Sequence, residues 1–293
     1  MRKLIAALVL SAIVAVGAPF VAPWNQTVAS PIVIGRVHKD YQPTRGKIFV
    51  LVIGNDARAG NPNTARADGI HIIGVNTETM RGGILNFPRD SWVSIPGSGT
   101  GRINEALYQG GPKLLATTLE SITRIHLDYW VMTGFKGFSA IIRALGGVKL
   151  NVQRDLYDPG GSGADIQSGV QSLDDHDSLA YVRTRHNFPQ GDIDRTTNQG
   201  RFLLAMLRKL RREVTRSPAA VMRWMAVTRK HTRLDVAPSV LFRLGVLASQ
   251  MSARDIGNVT VPVSTGTVGA ASVVFIQPAA RSIYARFREH GSL

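Results

Sequence analysis

The stretch KIFVLVIG, from Lys47 to Gly54, is the strongest strand signal in the chain. A continuous apolar run that is rich in β-branched residues and ends in glycine is typical of a buried strand. Similar runs predict two more strands, at residues 69–76 and 82–87. Pro88 ends the last of them, because proline cannot continue a central strand. These segments predict the buried middle of a sheet.

Helices and strands alternate in the rest of the chain. Further strands are predicted at residues 129–133 and 148–152, and residues 180–185 are also predicted to be extended. Helices, several of them with proline at the start or glycine at the end, are predicted at residues 112 to about 125, 135–145, 195–214, 219–231, 238–251 and 278–290. Strands that alternate with helices favour one layered α/β domain, which we place at residues 46–293.

The N-terminus predicts a membrane anchor. Two basic residues precede an uncharged stretch at residues 4–22. As a helix this stretch would measure ~28 Å, close to the ~30 Å hydrocarbon core of a bilayer. Because the basic residues lie on its N-terminal side, residues 1–3 are expected in the cytoplasm, residues 23–45 as a linker, and the domain outside the cell. A cleaved signal peptide with its apolar region at residues 4–17 is the competing interpretation.

The formal net charge is +15, and the chain contains no cysteine. The absence of cysteine excludes disulfides and thiolate metal sites, so any metal must bind oxygen or imidazole ligands. The excess of basic residues favours anionic partners. Because the domain is expected outside the cytoplasm, nucleic acid is not an expected partner. An anionic membrane surface or an envelope polymer is expected instead.

A short arginine-rich segment predicts a site for a phosphate group. If the segment YVRTR is extended, its two arginines, Arg183 and Arg185, project to the same face. If a helix begins near Arg195, Gln199 lies one turn later on the same face, with Asp192 just before the helix. Arginine is the side chain best suited to bidentate phosphate binding. A carboxylate among arginines that face an anion suggests a bridging divalent metal.

Three other short motifs carry the same chemistry. They are Gly54-Asn55-Asp56-Ala57-Arg58, Arg66-Ala67-Asp68 and Phe87-Pro88-Arg89-Asp90. Ligand sites in open α/β sheets lie beyond the carboxyl ends of strands. The first and third motifs follow predicted strands and fit this rule directly.

In this order, the motifs resemble those of the LytR-CpsA-Psr family over about residues 47–210. The patterns are G-x-D-x-R at residues 54–58, R-x-D at 66–68, P-R-D at 88–90, R-I-N and Y-x-G-G-P between 102 and 112, Y-V-R-x-R at 181–185, and D-x-x-R-x-x-x-Q at 192–199. The N-terminal anchor also belongs to the family pattern. The chain departs from that pattern at Ala67 and Gly69, where serine and threonine are usual. Neither change removes a charge.

The resemblance implies an α/β/α sandwich around a mixed central sheet, with an apolar tunnel for a polyprenyl chain and a pyrophosphate site at its mouth. It implies transfer of a glycopolymer from a polyprenyl-pyrophosphate carrier to peptidoglycan through a phosphodiester, with Mg²⁺ or Mn²⁺. Carried over by motif, the pyrophosphate ligands are Arg66, Arg89, Arg183, Arg185, Arg195 and Gln199, and the metal ligands are Asp56, Asp68 and Asp192. The implied catalytic residues are Arg89, Arg195, Asp68 and Asp90, with either aspartate as the general base.

Other functions fit the same residues. A polyprenyl-pyrophosphate hydrolase would use them with water as the acceptor. A non-catalytic regulator would bind an envelope lipid or polymer without turnover. No motif specifies the polymer, but the excess of arginine over lysine hints at a GC-rich genome. That favours actinobacterial arabinogalactan, with teichoic acid or capsule as alternatives.

Three other features have simpler interpretations. His71 lies in an apolar run and is expected to be a hydrogen-bonded core histidine. Asp174 and Asp175 are expected to cap a short helix rather than to bind metal. His186 follows the arginine segment and is a weaker candidate for the site.

Overall fold

The structure is a computed structural model that describes residues 32–38, 46–56 and 65–293. The predicted cytoplasmic residues 1–3 and the predicted membrane helix at residues 4–22 lie outside the described residues, as does Arg58 of the first motif. Within the part of the chain that the structure describes, no helix combines the length and the apolar character needed to cross a bilayer.

The described residues form a mixed α/β fold. The strands are β1 (Ile32–Arg36), β2 (Lys47–Asn55), β3 (Ala67–Asn76), β4 (Gly82–Asn86), β5 (Trp92–Ile95), β6 (Gly99–Arg102), β7 (Tyr129–Thr133), β8 (Val148–Val152), β9 (Leu156–Asp158), β10 (Ala164–Ile166), β11 (Gly169–Leu173), β12 (Thr232–Asp235), β13 (Ile256–Thr260), β14 (Val263–Val268) and β15 (Ala271–Ile276). The helices are α1 (Glu105–Thr123), α2 (Phe135–Ala144), α3 (Asp175–Arg183), α4 (Asp192–Arg216), α5 (Ala220–Lys230), α6 (Pro238–Gln250) and α7 (Ala280–His290), with a 3₁₀ turn at Ala253–Asp255.

The central sheet has seven strands in the order β12-β1-β7-β2-β3-β4-β13. It is mixed: β1 with β12, β2 with β7, and β4 with β13 are parallel, and the other neighbours are antiparallel. The predicted strand at Lys47 lies in the middle, with β7 on one side and β3 on the other. The remaining strands form two-stranded ribbons outside this sheet. The predicted mixed central sheet is confirmed.

Helices α1 and α7 cover one face of the sheet. Phe49 of β2 meets Phe287 of α7 edge to face, with ring centroids 5.4 Å apart. Gly74 makes this close approach possible, because a Cβ at that position would lie 2.6 Å from Phe287 Cζ. The chain beyond residue 210, where the sequence contains no recognisable motif, therefore supplies part of the main core.

Helix α4 crosses the opposite face of the sheet, against β3, β4 and β13. Gly200 brings it close, because a Cβ there would lie 2.7 Å from Asn86 Oδ1. A second hydrophobic cluster fills the space between α2, α3, α4 and strands β8 to β11, with Tyr181 and Phe202 among its buried members. Helices on both faces make three layers, α/β/α.

The predicted extended segment at residues 180–185 is wrong, because residues up to Arg183 belong to α3. Asp174 caps this helix, as predicted, by accepting a hydrogen bond from the Asp177 N–H at 2.8 Å. The helix continues because Tyr181 is buried in the second cluster, 6.5 Å from the Phe202 ring. Thr184, the C-cap, has an extended backbone.

Two further predictions are corrected. The predicted linker at residues 23–45 contains β1, which pairs with β7 and β12 inside the central sheet. Its signal was weak because the strand is short and contains Gly35 and Arg36. Asp192 is the first residue of α4 rather than the residue before the helix, and α4 runs on to Arg216. Helix α1 begins at Glu105, seven residues before the predicted start at Pro112, and its backbone is non-helical at Gly110 and Gly111. The other predicted strands and helices agree with the structure to within a few residues.

The position of β1 in the sheet can be tested at Gly35. A Cβ at residue 35 would lie 2.7 Å from Nε1 of Trp130 in β7. We therefore expect Gly35→Ala to lower the free energy of unfolding by ~1–3 kcal/mol through overpacking. The matched control is Gly160→Ala, because no atom lies within 4 Å of a Cβ at residue 160. Alanine gives the unfolded chain fewer conformations than glycine does, so this substitution should be neutral or slightly stabilising. Thermal unfolding of the two variants, followed by circular dichroism, measures both. Equal midpoints would place β1 outside the sheet.

Candidate functional site

Arg89 joins three aspartates beyond the end of β4. Its guanidinium forms an ion pair with Asp68, lies 3.3 Å from Asp192 Oδ1, and lies 3.7 Å from Asp90 Oδ2. Pro88 ends the strand and directs the chain into a turn at this point, where the Ser91 hydroxyl donates to the Pro88 carbonyl at 2.6 Å. Three motifs are thereby brought together at one edge of the sheet: the R-x-D motif through Asp68, the P-R-D motif, and the D-x-x-R-x-x-x-Q motif through Asp192.

The N-terminus of α4 supplies the other half of the cluster. Arg195 Nη2 lies 2.7 Å from Asp192 Oδ1, one turn away, and donates to the backbone carbonyl of Asp68 at 3.2 Å. The Arg195 side chain is 6% exposed. A helix N-terminus carries a partial positive charge and free N–H groups, so this end of α4 favours an anion.

Burial and charge oppose each other in this cluster. Burial raises the pKa of Asp192, and the guanidiniums of Arg195 and Arg89 counteract that effect. Burial also lowers the pKa of Arg195, against the effect of Asp192. For Arg89, burial lowers the pKa, but Asp192 and Asp68 outweigh it and the net shift is upward. The cluster is therefore a set of mutually dependent charges.

The cluster has unused bonding capacity. Among the described residues, neither carboxylate oxygen of Asp192 makes a hydrogen bond with good geometry, although Oδ1 lies within ion-pair distance of two arginines. The Nε atoms of Arg89 and Arg195 and Oε1 of Gln199 are likewise without a hydrogen-bond partner in this part of the chain. Carboxylate oxygens of this kind suit a hard divalent cation, and guanidinium N–H groups suit phosphate oxygens.

Arg183 and Gln199 approach the cluster from α3 and α4. Arg183 donates to the Ser162 carbonyl at 3.3 Å, and its Cζ lies 4.8 Å from the centroid of the Phe135 ring. Gln199 donates to the Val182 carbonyl at 3.0 Å. The charge of Arg185 contributes to the lowered pKa of Arg195, so it acts on the cluster as well. The arginines and Gln199 converge as predicted, but Arg183 is carried by the C-terminal end of α3 and not by a strand.

Two predicted site residues form a separate contact. The Arg66 backbone N–H donates to Asp56 Oδ1 at 3.0 Å, and the side chain of Arg66 is exposed. Within the described ranges, no ion pair joins either residue to the cluster around Arg89. His186 pairs with Asp158, 3.1 Å away, instead of with the cluster.

A series of hydrogen-bonded polar side chains lies buried between α4 and the sheet. The sequence analysis did not predict it. Asn86 donates to Asn258 Oδ1 at 2.8 Å and to the Val259 carbonyl at 3.0 Å. Its own Oδ1 therefore accepts from His71 Nδ1, 2.8 Å away. Burial lowers the pKa of His71 to about 4, so the ring is neutral, and its neighbours Asn86 and Gln199 oppose that shift. The prediction of a core histidine is confirmed; its position next to Gln199 had no sequence signal.

A small cavity of about 60 Å³ opens beside the charged cluster. Its lining combines two kinds of residue: Asp68, Arg183, Arg195 and Gln199 are charged or polar, and Phe135, Phe138, Leu179 and Val182 are apolar. One water needs ~10–15 Å³ on this measure, so the space suits a few waters and not a polyprenyl chain. The predicted lipid tunnel therefore stays a prediction that requires the cavity to widen. The arrangement nevertheless suits an anion that carries an apolar group.

Comparisons with known proteins identify the family of the chain. The model of the LytR_cpsA_psr family matches residues 27–288. The regulatory protein MsrR of Staphylococcus aureus is 29% identical over 249 residues, covering 80% of this chain and 73% of MsrR. The polyisoprenyl-teichoic acid–peptidoglycan teichoic acid transferase TagT of Bacillus subtilis is 33% identical over 180 residues, covering 58% of this chain and 55% of TagT.

A solved structure shows the same fold. TagT (YwtF) with bound octaprenyl pyrophosphate lipid superimposes with a TM-score of 0.66 at 21% identity, covering 86% of this chain and 93% of that one. The match of the family model extends over most of the chain, well beyond the motif region at residues 47–210. The chain belongs to the LytR-CpsA-Psr family.

Proposed function

We propose that this protein is a membrane-anchored transferase that moves a glycopolymer from a polyprenyl-pyrophosphate carrier to peptidoglycan through a phosphodiester. The observation that carries the proposal is the cluster in which Arg89 and Arg195 share Asp192, next to a cavity with an apolar wall. Membership of the family and the activity in the name of TagT, a polyisoprenyl-teichoic acid–peptidoglycan teichoic acid transferase, support it.

In this proposal the arginines bind the pyrophosphate. Arg89 and Arg195 have buried Nε atoms without hydrogen-bond partners in the described part of the chain, so each can donate to a phosphate oxygen. Arg183 lines the cavity next to Phe135, and Arg185 adds positive charge near Arg195. Phosphoryl transfer depends mainly on positioning and on stabilising charge on the phosphoryl oxygens, which is what these groups supply.

The covalent step exchanges one phosphorus–oxygen bond for another. A hydroxyl of peptidoglycan attacks the phosphorus that carries the glycan, the bond to the bridging oxygen breaks, and the polyprenyl phosphate leaves. A carboxylate accepts the hydroxyl proton. Asp68 and Asp90 both contact Arg89, and Asp90 is the more exposed of the two, at 27% against 19%. Exposure favours Asp90 as the group that an incoming acceptor reaches.

The acidic residues offer ligands for a metal ion. Two carboxylate oxygens of Asp192 are without hydrogen bonds in the described part of the chain, and Asp68 pairs with the same arginine; carboxylate oxygens are the ligands that Mg²⁺ prefers. We propose that Asp68 and Asp192 hold Mg²⁺, or Mn²⁺ in its place, with Asp56 as the further ligand that the family pattern implies. The ion would neutralise charge on the pyrophosphate oxygens.

The substrate and the topology complete the proposal. We propose a single-pass anchor at residues 4–22 with a cytoplasmic N-terminus, and a catalytic domain on the outer surface of the cell membrane. Arabinogalactan is the proposed polymer, on the basis of the arginine-rich composition, and teichoic acid is the alternative that the name of TagT supports.

The transfer reaction can be tested directly. We would incubate the detergent-solubilised full chain with a synthetic polyprenyl-pyrophosphate glycan, Mg²⁺ and peptidoglycan, and search by mass spectrometry for sugar–phosphate–muramic acid. Arg89→Ala should reduce the linked product by ~10²–10³-fold, the usual effect of removing one donor that stabilises a transition state. Arg89→Lys keeps the charge but loses the forked geometry, so it should also be impaired. Arg281→Ala is the matched control, because Arg281 is exposed on α7, which covers the other face of the sheet.

The products separate the candidate functions. A linked product that both Arg89 variants lose establishes the transferase. Free glycan phosphate without linkage would indicate the hydrolase. Tight binding of the carrier without any covalent product would indicate a non-catalytic regulator, a role that the name of MsrR suggests for that relative.

The metal site gives a second prediction. Asp192→Asn removes one negative charge and one anionic oxygen donor. The Mg²⁺ concentration for half-maximal transfer should therefore rise by at least ~10-fold, because changing a residue that only supports a metal ligand already costs ~10–100-fold in affinity or activity. Because burial raises the pKa of Asp192, acidification should protonate it early and weaken Mg²⁺ activation in the unaltered protein. That part of the pH dependence should disappear in the variant.

The matched control for this prediction is Asp194→Asn. Asp194 lies in the same first turn of α4, but its Oδ2 accepts the Gln190 backbone N–H at 2.9 Å. The Asp194→Asn substitution removes the same charge from the same end of the helix. Equal Mg²⁺ dependence in both variants would mean that the effect is general electrostatics and that Asp192 is not a metal ligand.

A further inference from the structure

A second group of ligand-type side chains lies at the far end of β7 from the charged cluster. It consists of His38, just after β1; Glu120, near the end of α1; and His126, in the loop between α1 and β7. Thr133, at the C-terminal end of β7, lines the cavity beside the charged cluster, whereas this group lies beyond the N-terminal end of the strand. At ~3.3 Å per residue, the length of the strand separates the two places by ~15 Å.

The three side chains already lie close together. His38 Nε2 is 3.0 Å from each carboxylate oxygen of Glu120, and His126 Nδ1 is 3.9 Å from Glu120 Oε1. One ligand atom from each residue can be chosen so that all three lie within 4.8 Å of one another. In a tetrahedral zinc site, bonds of ~2.0–2.2 Å place neighbouring ligand atoms ~3.3–3.5 Å apart. The observed separations lie on both sides of that value. Small rotations of the two exposed histidines would therefore bring the three ligand atoms to the spacing of a zinc site.

The central ligand is held in place by the backbone. The Leu127 N–H donates to Glu120 Oε1 at 2.8 Å, which fixes the carboxylate between the two imidazoles. Metal ligands are commonly oriented by a second layer of hydrogen bonds of this kind. The chain at His38 is anchored too, because the Val37 N–H donates to the Asp128 carbonyl at 3.2 Å.

One oxygen of a buried carboxylate, Asp128, lacks a hydrogen-bond partner in the described part of the chain. Asp128 accepts the Phe49 N–H on Oδ2 at 2.7 Å, while within the described residues its Oδ1 has no hydrogen-bond partner. The loop that carries His126 therefore also holds a buried carboxylate oxygen that is unsatisfied in this part of the chain.

We propose that His38, Glu120 and His126 bind a divalent transition-metal ion of the zinc class, with solvent completing its coordination. Two imidazole nitrogens and one carboxylate oxygen are the donor set that Zn²⁺ accepts, and Mg²⁺ does not favour imidazole. The ion joins the chain that follows β1 to α1 and the loop before β7. Its role is structural, because it fastens β1, an inner strand of the sheet, at a place remote from the transfer site.

Metal binding is measured on the detergent-solubilised full chain, purified without a histidine tag and freed of metal with a chelator. Isothermal titration with ZnCl₂ should show one ion per chain, with a dissociation constant of ~1 µM or tighter. His38→Ala and His126→Ala should each weaken this binding by at least ~10-fold. His290→Ala is the matched control, because His290 is an exposed histidine on α7 whose only ion-pair neighbour in the described chain is Glu289.

Two further measurements separate metal binding from a defect in folding. Glu120→Gln keeps an acceptor for the Leu127 N–H but removes the anionic ligand, so the chain should fold normally and still bind zinc at least ~10-fold more weakly. Zinc should also raise the thermal midpoint of the unaltered protein and leave that of His38→Ala unchanged. Binding weaker than ~100 µM, or binding that survives in both histidine variants because zinc occupies the aspartates around Arg89, would overturn the proposal.

Discussion

The constraint on which the site depends is the burial of Asp192 between two guanidiniums. The Asp192 side chain is 19% exposed and that of Arg195 only 6%. A charge removed from water in this way persists only when it is paired, and the loss of one partner of a buried pair typically costs ~3–5 kcal/mol. The ends of β3, β4 and α4 must therefore meet within hydrogen-bonding distance. The buried chain from Asn258 through Asn86 to His71, below Gln199, sets the height of α4 above the sheet.

Most of the sheet could be predicted because its strands carry their own signal. The run at Lys47 lies in the middle of the sheet. A strand that is covered on both faces is apolar along its whole length, so such a run predicts a central strand. The charged cluster was predictable for a different reason. Arginine and aspartate recur at strand ends and at a helix start, and topology alone brings such ends to one edge. Neither inference requires knowledge of side-chain contacts.

Other parts could not be read from the sequence, because long-range packing decides them. Alternating arginines around Thr184 resemble a strand, yet the Asp174 cap and the burial of Tyr181 against Phe202 make the segment a helix. Strand β1 is five residues long and owes its place to pairing with β7 and β12, which lie about 95 and 200 residues away in the chain. Asp56 shows the same limit, because its carboxylate binds the Arg66 backbone instead of joining Arg89.

The two hydrophobic clusters indicate where the proposed polyprenyl chain would enter. One cluster joins the sheet to α1 and α7, and the other joins α2, α3 and α4 to the outer ribbons. The cavity lies between them: Gly54 and Gly69 of the sheet form one wall, and Phe138 and Val182, which pack on the second cluster, form the other. Well-packed cores resist deformation, but a boundary between two cores can open without breaking either. An isoprenoid chain entering here would separate α2 and α3 from the sheet and bury its own surface in exchange, at ~25 cal/mol per Å². Arg183, which now lies over Phe135 at this boundary, would then be released to the pyrophosphate as the lipid enters.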